Sequence, residues 1–500
     1  MRQARGCETR NANVIERVYG QGMRPLRRTA LAVTAACSAL CLGLAGAVAP
    51  AAAGPPSFLQ PQPGGSSAGD PYFPLLGATG YDTLTYHLKL DYTPVDAASG
   101  DLDAVALMTL RPDVTLSSFN LDLRGLDVSS VRVNGLEAEF THEYGELTVT
   151  PRFPLLKRVP AVVKVTYGGT TGQPRDLGGS LYGWVSTADG AMVVNEPDGA
   201  PTWYPVNDDP NDKAVYTFAI TVPEGKAAIA NGVPVGQPRT RDGRTTYRWF
   251  ESKPMASYLS TATIGDFDIT TTDGPKGLPI IDAIDRDVTP TNRTTSEASL
   301  AKQGDMIAFF TDHFGPYPFD SAGGIVDDDS VGYALETQSR AVYSRVAREG
   351  TVAHEIAHQW YGNTVSPHRW ADIWLNEGFA TYAAWMWAEH SGGTTVADSA
   401  ASVYAIPADN AFWETVMADP GPVDLFAGAV YSRGALTLYE LQQTIGEKDF
   451  AKLLKAWPRT YRYDAASTAD FIALAEKISK QDLDEFFEVW AYTPEKPTSW

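Results

Sequence analysis

The sequence predicts an α+β multidomain protein: an N-terminal antiparallel β domain, saddle- or sandwich-like, followed by a mostly helical domain. Two patterns predict that order. From about Asp70 to Phe267, apolar residues alternate with polar ones at the period of a half-buried strand. From about Asp268 onward they recur at helical spacing instead. A chain of 500 residues is long enough for roughly two to four domains with substantial cores.

In the first half, Phe119, Leu121 and Leu123 alternate with polar neighbours. Val131 and Val133 run into Asn134-Gly135, a pair that tolerates the positive φ of a two-residue hairpin turn, and Leu136, Ala138 and Phe140 resume the alternation. In the second half, Ser296 to His313 reads as a helix closed by Gly315-Pro316. Another helix begins near Gly350, and a third opens at Glu377 and continues through Ala380, Ala383, Ala384 and Trp387. Ser467 and Asp470 form a capping box, after which Leu483, Phe486, Phe487 and Trp490 make an apolar stripe that belongs to a core. The expected boundaries are a β domain over 70–267 and a helical domain over 268–500.

The first 54 residues differ from the rest. Arg24, Arg27 and Arg28 precede an Ala/Leu/Val stretch from Ala30 to Ala49, which ends in Ala51-Ala52-Ala53-Gly54. This is the pattern of a secretory signal peptide, and the expected product is a secreted protein with no stable membrane span. An uncleaved anchor is the alternative. Met23 is the expected start of that signal, since residues 1–22 are polar. Cys7, Cys37 and Cys41 all lie in this leader, so the remainder needs no disulfide and has no thiolate chemistry. Residues 55–69 are rich in Pro, Gly and Ser and read as a flexible linker. The net charge of −20 argues against nucleic acid or an anionic membrane surface as partner.

One short stretch carries chemistry. In His354-Glu355-Ile356-Ala357-His358 the two histidines lie one turn apart on one face of a helix, where their imidazoles can converge on an ion. Glu377, in Trp374-Leu375-Asn376-Glu377-Gly378, offers a third ligand. Two nitrogens and a carboxylate oxygen suit a catalytic Zn2+ that keeps one position open. Glu355, beside the first ligand, can take a proton from a water there. Asp372, Asn376 and Thr381 are candidates to orient the imidazoles. His368 reads as a loop residue, and His87, His142, His313 and His390 have no ligand spacing. Asp327-Asp328-Asp329 reads as a solvated loop, with a calcium site the alternative, and Asn292-Arg293-Thr294 as a loop, or as a glycosylation sequon where the source glycosylates.

These residues resemble the aminopeptidase N and leukotriene hydrolase type of zinc peptidase, whose HExxH-x18-E pattern His354, His358 and Glu377 match with 18 residues between His358 and Glu377. His358-Gln359-Trp360-Tyr361-Gly362-Asn363 and Trp374 to Ala380 match the surroundings. Tyr333-Ala334-Leu335-Glu336-Thr337 stands where that family has its GxMEN exopeptidase motif, with Tyr, Leu and Thr in place of its Gly, Met and Asn. Tyr431-Ser432-Arg433-Gly434 resembles the segment of the family's catalytic tyrosine, with Arg433 in place of the usual Lys. Asn195-Glu196-Pro197, Trp203-Tyr204-Pro205, Asp209-Pro210 and Lys213-Ala214 resemble a stretch lining its substrate cleft.

The resemblance implies a thermolysin-like zinc catalytic domain in a short two-domain form, with one Zn2+ per chain. It implies a zinc aminopeptidase acting on peptides with a free N-terminus and working as a monomer. Glu355 is then the general base and Tyr431 the group that stabilises the developing oxyanion. Glu336 and Glu196 would bind the substrate α-ammonium, and Ala334 and Leu335 the peptide beside it. A zinc endopeptidase or epoxide hydrolase on the same scaffold is the near alternative. A binding protein stapled by zinc is the distant one.

Overall fold

The period-two stretches of the first half become strands of three sheets. The computed structural model describes residues 60–327 and 331–498; the leader, its cysteines and the first part of the expected linker lie outside the described residues. The largest sheet has nine strands, and its centre is the long antiparallel hairpin of Tyr81–Asp96 and Ser99–Pro112. Alternate residues of both strands are buried, as a sheet with one wet face requires. The sheet is not wholly antiparallel. Ala214–Pro223 pairs in parallel with Tyr81–Asp96, a long-range pairing that no local turn signal announces. A smaller sheet of Gly183–Ser186, Ala191–Val194, Ala262–Gly265 and Ala227–Ala230 is buried on both faces.

The Asn134-Gly135 turn forms as expected, with φ of 53° and 81° and Val133 paired to Leu136. Leu136 is nevertheless exposed: the returning strand is only Leu136–Glu137, and the chain then passes to another sheet. The expected linker also differs from a free tether where it is described. Gln62–Pro63 pairs with Leu116–Asp122, and Gly65 exchanges backbone hydrogen bonds of 3.1 Å with Thr79. Glycine serves contact here, since a Cβ on Gly64 would lie 2.9 Å from the Thr79 carbonyl oxygen.

The second half holds a five-stranded sheet that its helical pattern hides: Phe267–Asp273, Pro279–Asp285, Gly324–Asp327, Ala341–Ser344 and the edge strand Ala334–Leu335. Short, buried strands such as Gly324–Asp327 carry no alternation to read. The helix expected over Ser296–His313 is two helices, Pro290–Leu300 and Gln303–Phe314. The Gln303 side chain donates to Asp282 Oδ1 at 2.8 Å and pins the second helix to the sheet at that break. The capping box of Ser467 and Asp470 is present. The apolar stripe is core, with Leu483, Phe487 and Trp490 buried. A continuous apolar cluster joins the β domain to the helical one.

Three helices position the chemistry: Glu349–His358, Trp374–His390 and Gly428–Ile445. The last two cross at a glycine pair. A Cβ on Gly434 would come within 2.8 Å of Gly378 Cα, and one on Gly378 within 2.9 Å of Gly434 Cα. Gly378 follows Glu377, and Gly434 lies three residues after Tyr431. The close backbone approach therefore brings Glu377 and Tyr431 into one space. Replacing Gly434 by Ala should separate the helices and cost about 1–3 kcal/mol, read as a lower thermal midpoint. Gly428→Ala, with open space around the new methyl, is the matched control and should not lower it. Equal midpoints for the two variants would contradict the close-packing role.

Candidate metal centre and substrate cavity

The helix Glu349–His358 ends where the chain must turn sharply, and that turn sets the first ligand. Gly362 has a φ of 124°, and a Cβ there would crowd His358 Nδ1 at 3.2 Å. The bend lets the Tyr361 carbonyl oxygen lie 3.0 Å from His358 Nδ1. That contact places the proton on Nδ1 and leaves the Nε2 lone pair free. His358 Nε2 lies 3.0 Å from His354 Nε2, and Glu377 Oε2 lies 3.4 Å from the former and 3.1 Å from the latter.

Three such atoms facing one another at this range repel unless a proton or a cation lies among them. With bonds of about 2.0–2.2 Å, a tetrahedral Zn2+ sets its ligand atoms about 3.3 Å apart. The triad fits that ion; Glu377 and His358 are nearly dry, at 3% and 1% exposed, and His354, at 16%, is the member open to the cavity. Among the candidates for orienting the imidazoles, Asp372 accepts instead from Thr468, and Asn376 donates to the Tyr258 hydroxyl. His368 is bonded to Asn211 and does not line the cavity.

Three further carboxylates crowd the same space. Glu336, Glu355 and Glu196 are 2%, 4% and 7% exposed. Each has an oxygen with no hydrogen-bond partner: Oε1 of Glu336, Oε2 of Glu355 and Oε1 of Glu196. Ligand atoms of Glu196, Glu336 and Glu377 lie within 4.8 Å of one another, as do those of Glu336, Glu355 and His358. Burial, then repulsion from Glu336, Glu377 and Glu355, pushes the Glu196 carboxyl well above its ordinary value. Burial alone would keep His358 neutral, but Glu336 and Glu377 raise its pKa to about 10. Glu377 answers in the opposite sense: burial raises it, while His358 and His354 draw it down to about 2. The cluster as a whole calls for positive charge.

A cavity of about 670 Å³ opens onto these groups. Ala334, Leu335 and Glu336 form one wall, and Tyr431 faces them. The Tyr431 ring stacks on His354 at 6.0 Å and 22°. Burial, with help from Glu377 and Glu196, raises its pKa, so the phenol remains a proton donor. The metal-ligand candidates His354, His358 and Glu377 thus line one cavity with Glu355, Tyr431, Glu336, Glu196, Ala334 and Leu335.

The sequence reading missed how the walls are held. Asn363 Nδ2 donates to the Glu336 carbonyl at 2.7 Å, and Gln359 Oε1 accepts from the Ser339 N–H at 2.8 Å. Both latch the Glu336 strand to the histidine helix. Buried polar side chains inside a metal motif were the available signal. Of the cleft-like stretch, only Glu196 faces the cavity. Asn195 accepts from Trp203 Nε1 at 3.0 Å and donates to Ser260 Oγ at 3.0 Å, which fixes the backbone of Glu196. Trp203 and Tyr204 are wholly core. Lys213 Nζ donates to the carbonyls of Asn363 and Thr364, tying the β domain to the loop after the histidine helix. Arg433 is likewise scaffold, donating to the carbonyls of Trp490 and Thr493.

The chain matches the peptidase family M1 domain over residues 324–490 and the peptidase M1 N-terminal domain over residues 117–259. It is 28% identical over 352 residues to the glutamyl aminopeptidase of Rattus norvegicus, covering 63% of this chain and 36% of that protein. It is 24% identical over 445 residues to the leucyl aminopeptidase of Saccharolobus solfataricus, covering 82% and 53%. The chain thus spans only about a third to a half of the length of these relatives. Among solved structures, the M1 zinc metallopeptidase of Deinococcus radiodurans superposes with a TM-score of 0.78 at 28% identity, over 86% of this chain and 98% of that one. A form of it bound to a Tyr-Ser-Ala substrate gives 0.77 at 27% identity, over 87% and 100%. With both domain matches in the order of the fold and His354, His358 and Glu377 grouped so that they could hold a metal ion, the chain belongs to peptidase family M1 and is built like its two-domain zinc metallopeptidases.

Proposed function

We propose that this protein is a zinc-dependent aminopeptidase that hydrolyses the N-terminal peptide bond of peptides. The observation that carries the proposal is the set of buried, unpartnered carboxylate oxygens of Glu196, Glu336 and Glu355 around the His354–His358–Glu377 triad. An internal peptide segment brings no charge to offset those acids, whereas a free N-terminus brings an ammonium. The peptide-bound Deinococcus structure supports a peptide as the class of substrate.

His354, His358 and Glu377 would hold zinc, which supplies Lewis acidity toward a carbonyl and lowers the pKa of water. Glu336 and Glu196 pair with the substrate ammonium and set a distance of one residue to the scissile bond. Glu355 takes the proton of the attacking water and delivers it to the departing amine. The Tyr431 hydroxyl donates to the oxygen that gains charge as the carbonyl becomes tetrahedral. Ala334 and Leu335, on an edge strand, offer free backbone groups to the peptide. Among the described residues no helix is long and apolar enough to cross a membrane. The Arg-flanked apolar stretch of the leader supports export.

Three outcomes test this. Glu355→Gln should lower kcat on a leucyl-amide substrate by about 100-fold or more while zinc stays bound, as read by elemental analysis. His358→Ala should lose the zinc itself, while His368→Ala keeps it. Glu336→Ala should cut kcat/KM on free-amine substrates by about tenfold or more and leave N-acetylated peptides as poor as before. Equal loss on acetylated peptides would reject the ammonium role.

A further inference from the structure

One carboxylate on the cavity wall has no task in the chemistry. Asp176 lines the cavity, as do Tyr333 and Glu196. The same residue lines an adjoining depression together with Pro197 and Asp198, the two residues after Glu196. A substrate's first side chain branches from the carbon that carries its ammonium. An ammonium held by Glu196 and Glu336 therefore directs that side chain toward this end of the cavity.

Asp176 is held there by its turn. Its backbone N–H donates to the Ser180 carbonyl at 2.9 Å, and its Oδ1 accepts from the Ser180 N–H at 2.8 Å. Tyr333 donates its hydroxyl to the Leu181 carbonyl at 2.8 Å, fastening the turn to the Ala334–Leu335 strand. Neighbouring cations are engaged elsewhere. Arg175 donates to the Gly179 carbonyl at 2.7 Å, and Arg124 pairs with Asp198 at 2.9 Å. Among the described residues, no ion pair engages Asp176, and no lysine or arginine lines the cavity. Val331, Leu335 and Phe426 supply apolar wall to the same cavity.

We propose that Asp176 is a specificity-determining residue that favours a first side chain with an apolar stem and a cationic head, as in arginine or lysine. This rests on the aminopeptidase function proposed above. The apolar wall takes the stem, and the carboxylate at the rim meets the head. An acidic first side chain would instead add charge to a space already lined by Asp176, Glu196, Glu336, Glu355 and Glu377.

The test compares kcat/KM on arginyl, lysyl, leucyl and glutamyl coumarin amides for the zinc-loaded full chain and for Asp176→Asn and Asp176→Lys. The full chain is expected to prefer the arginyl and lysyl amides to the glutamyl one. Because Asp176 is partly exposed, Asp176→Asn should lower the arginyl-to-leucyl ratio by about fivefold. Asp176→Lys should lower it further and raise the glutamyl-to-leucyl ratio, a reversal that a merely damaged turn would not produce. Turnover of leucyl amide with unmoved ratios in both variants would overturn the role of Asp176 and leave the aminopeptidase function standing. No turnover of any free-amine substrate by the zinc-loaded chain would overturn both.

Discussion

Four carboxylates packed into a dry space without matching cations are the constraint on which this protein is organised. Glu196, Glu336, Glu355 and Glu377 are each at least nine-tenths buried. Burying a lone carboxylate costs several kcal/mol unless charge or hydrogen bonds offset it. Glu377 finds partial relief in His354 and His358, whereas each of the other three has an oxygen with no hydrogen-bond partner, that of Glu336 lying 3.8 Å from His358 Nδ1. The folded chain therefore carries a standing demand for positive charge. In the proposed function a metal ion among the triad and an ammonium beside it would meet that demand, and catalysis would use the same two charges.

Holding such a cluster together needs a rigid frame, because repulsion works to open it. The frame draws on both domains. Asn195 and Trp203 fix the backbone of Glu196 from the β domain, and Lys213 crosses to the carbonyls of Asn363 and Thr364. Asn363 in turn grips the Glu336 carbonyl. The Gly378–Gly434 contact lets two helix backbones approach more closely than any side chain allows. Apart from Lys213, whose ammonium is spent on two carbonyls, these are contacts of backbone and neutral polar groups, so they add no charge that would compete with the substrate for the acids.

Much of this was legible in the sequence, and the limits have physical causes. The spacing of His354, His358 and Glu377 encodes local geometry, since residues one turn apart on a helix share a face whatever surrounds them. The Asn134-Gly135 turn was legible for the same reason, while the exposure of Leu136 was not, because it depends on which sheet the chain joins next. Glu196 and Glu336 were found through resemblance; spacing alone says nothing of their meeting across two domains. The five-stranded sheet was missed because buried strands without alternation resemble buried helix. Gln359 and Asn363 were seen as motif letters, and only the fold reveals them as latches. Arg433 stood out as a departure from a family pattern, yet it works as scaffold, bound to carbonyls near the C-terminal end.

In the proposed function the buried acids await an ammonium beside the metal. The most direct test is equilibrium binding to a Glu355→Gln protein loaded with zinc, using a dipeptide amide with a free amine and the same compound N-acetylated. The free-amine form should bind at least about tenfold tighter, and Glu336→Ala in the same background should erase the difference. Equal affinity for the two forms, with zinc bound at one per chain, would contradict the claim.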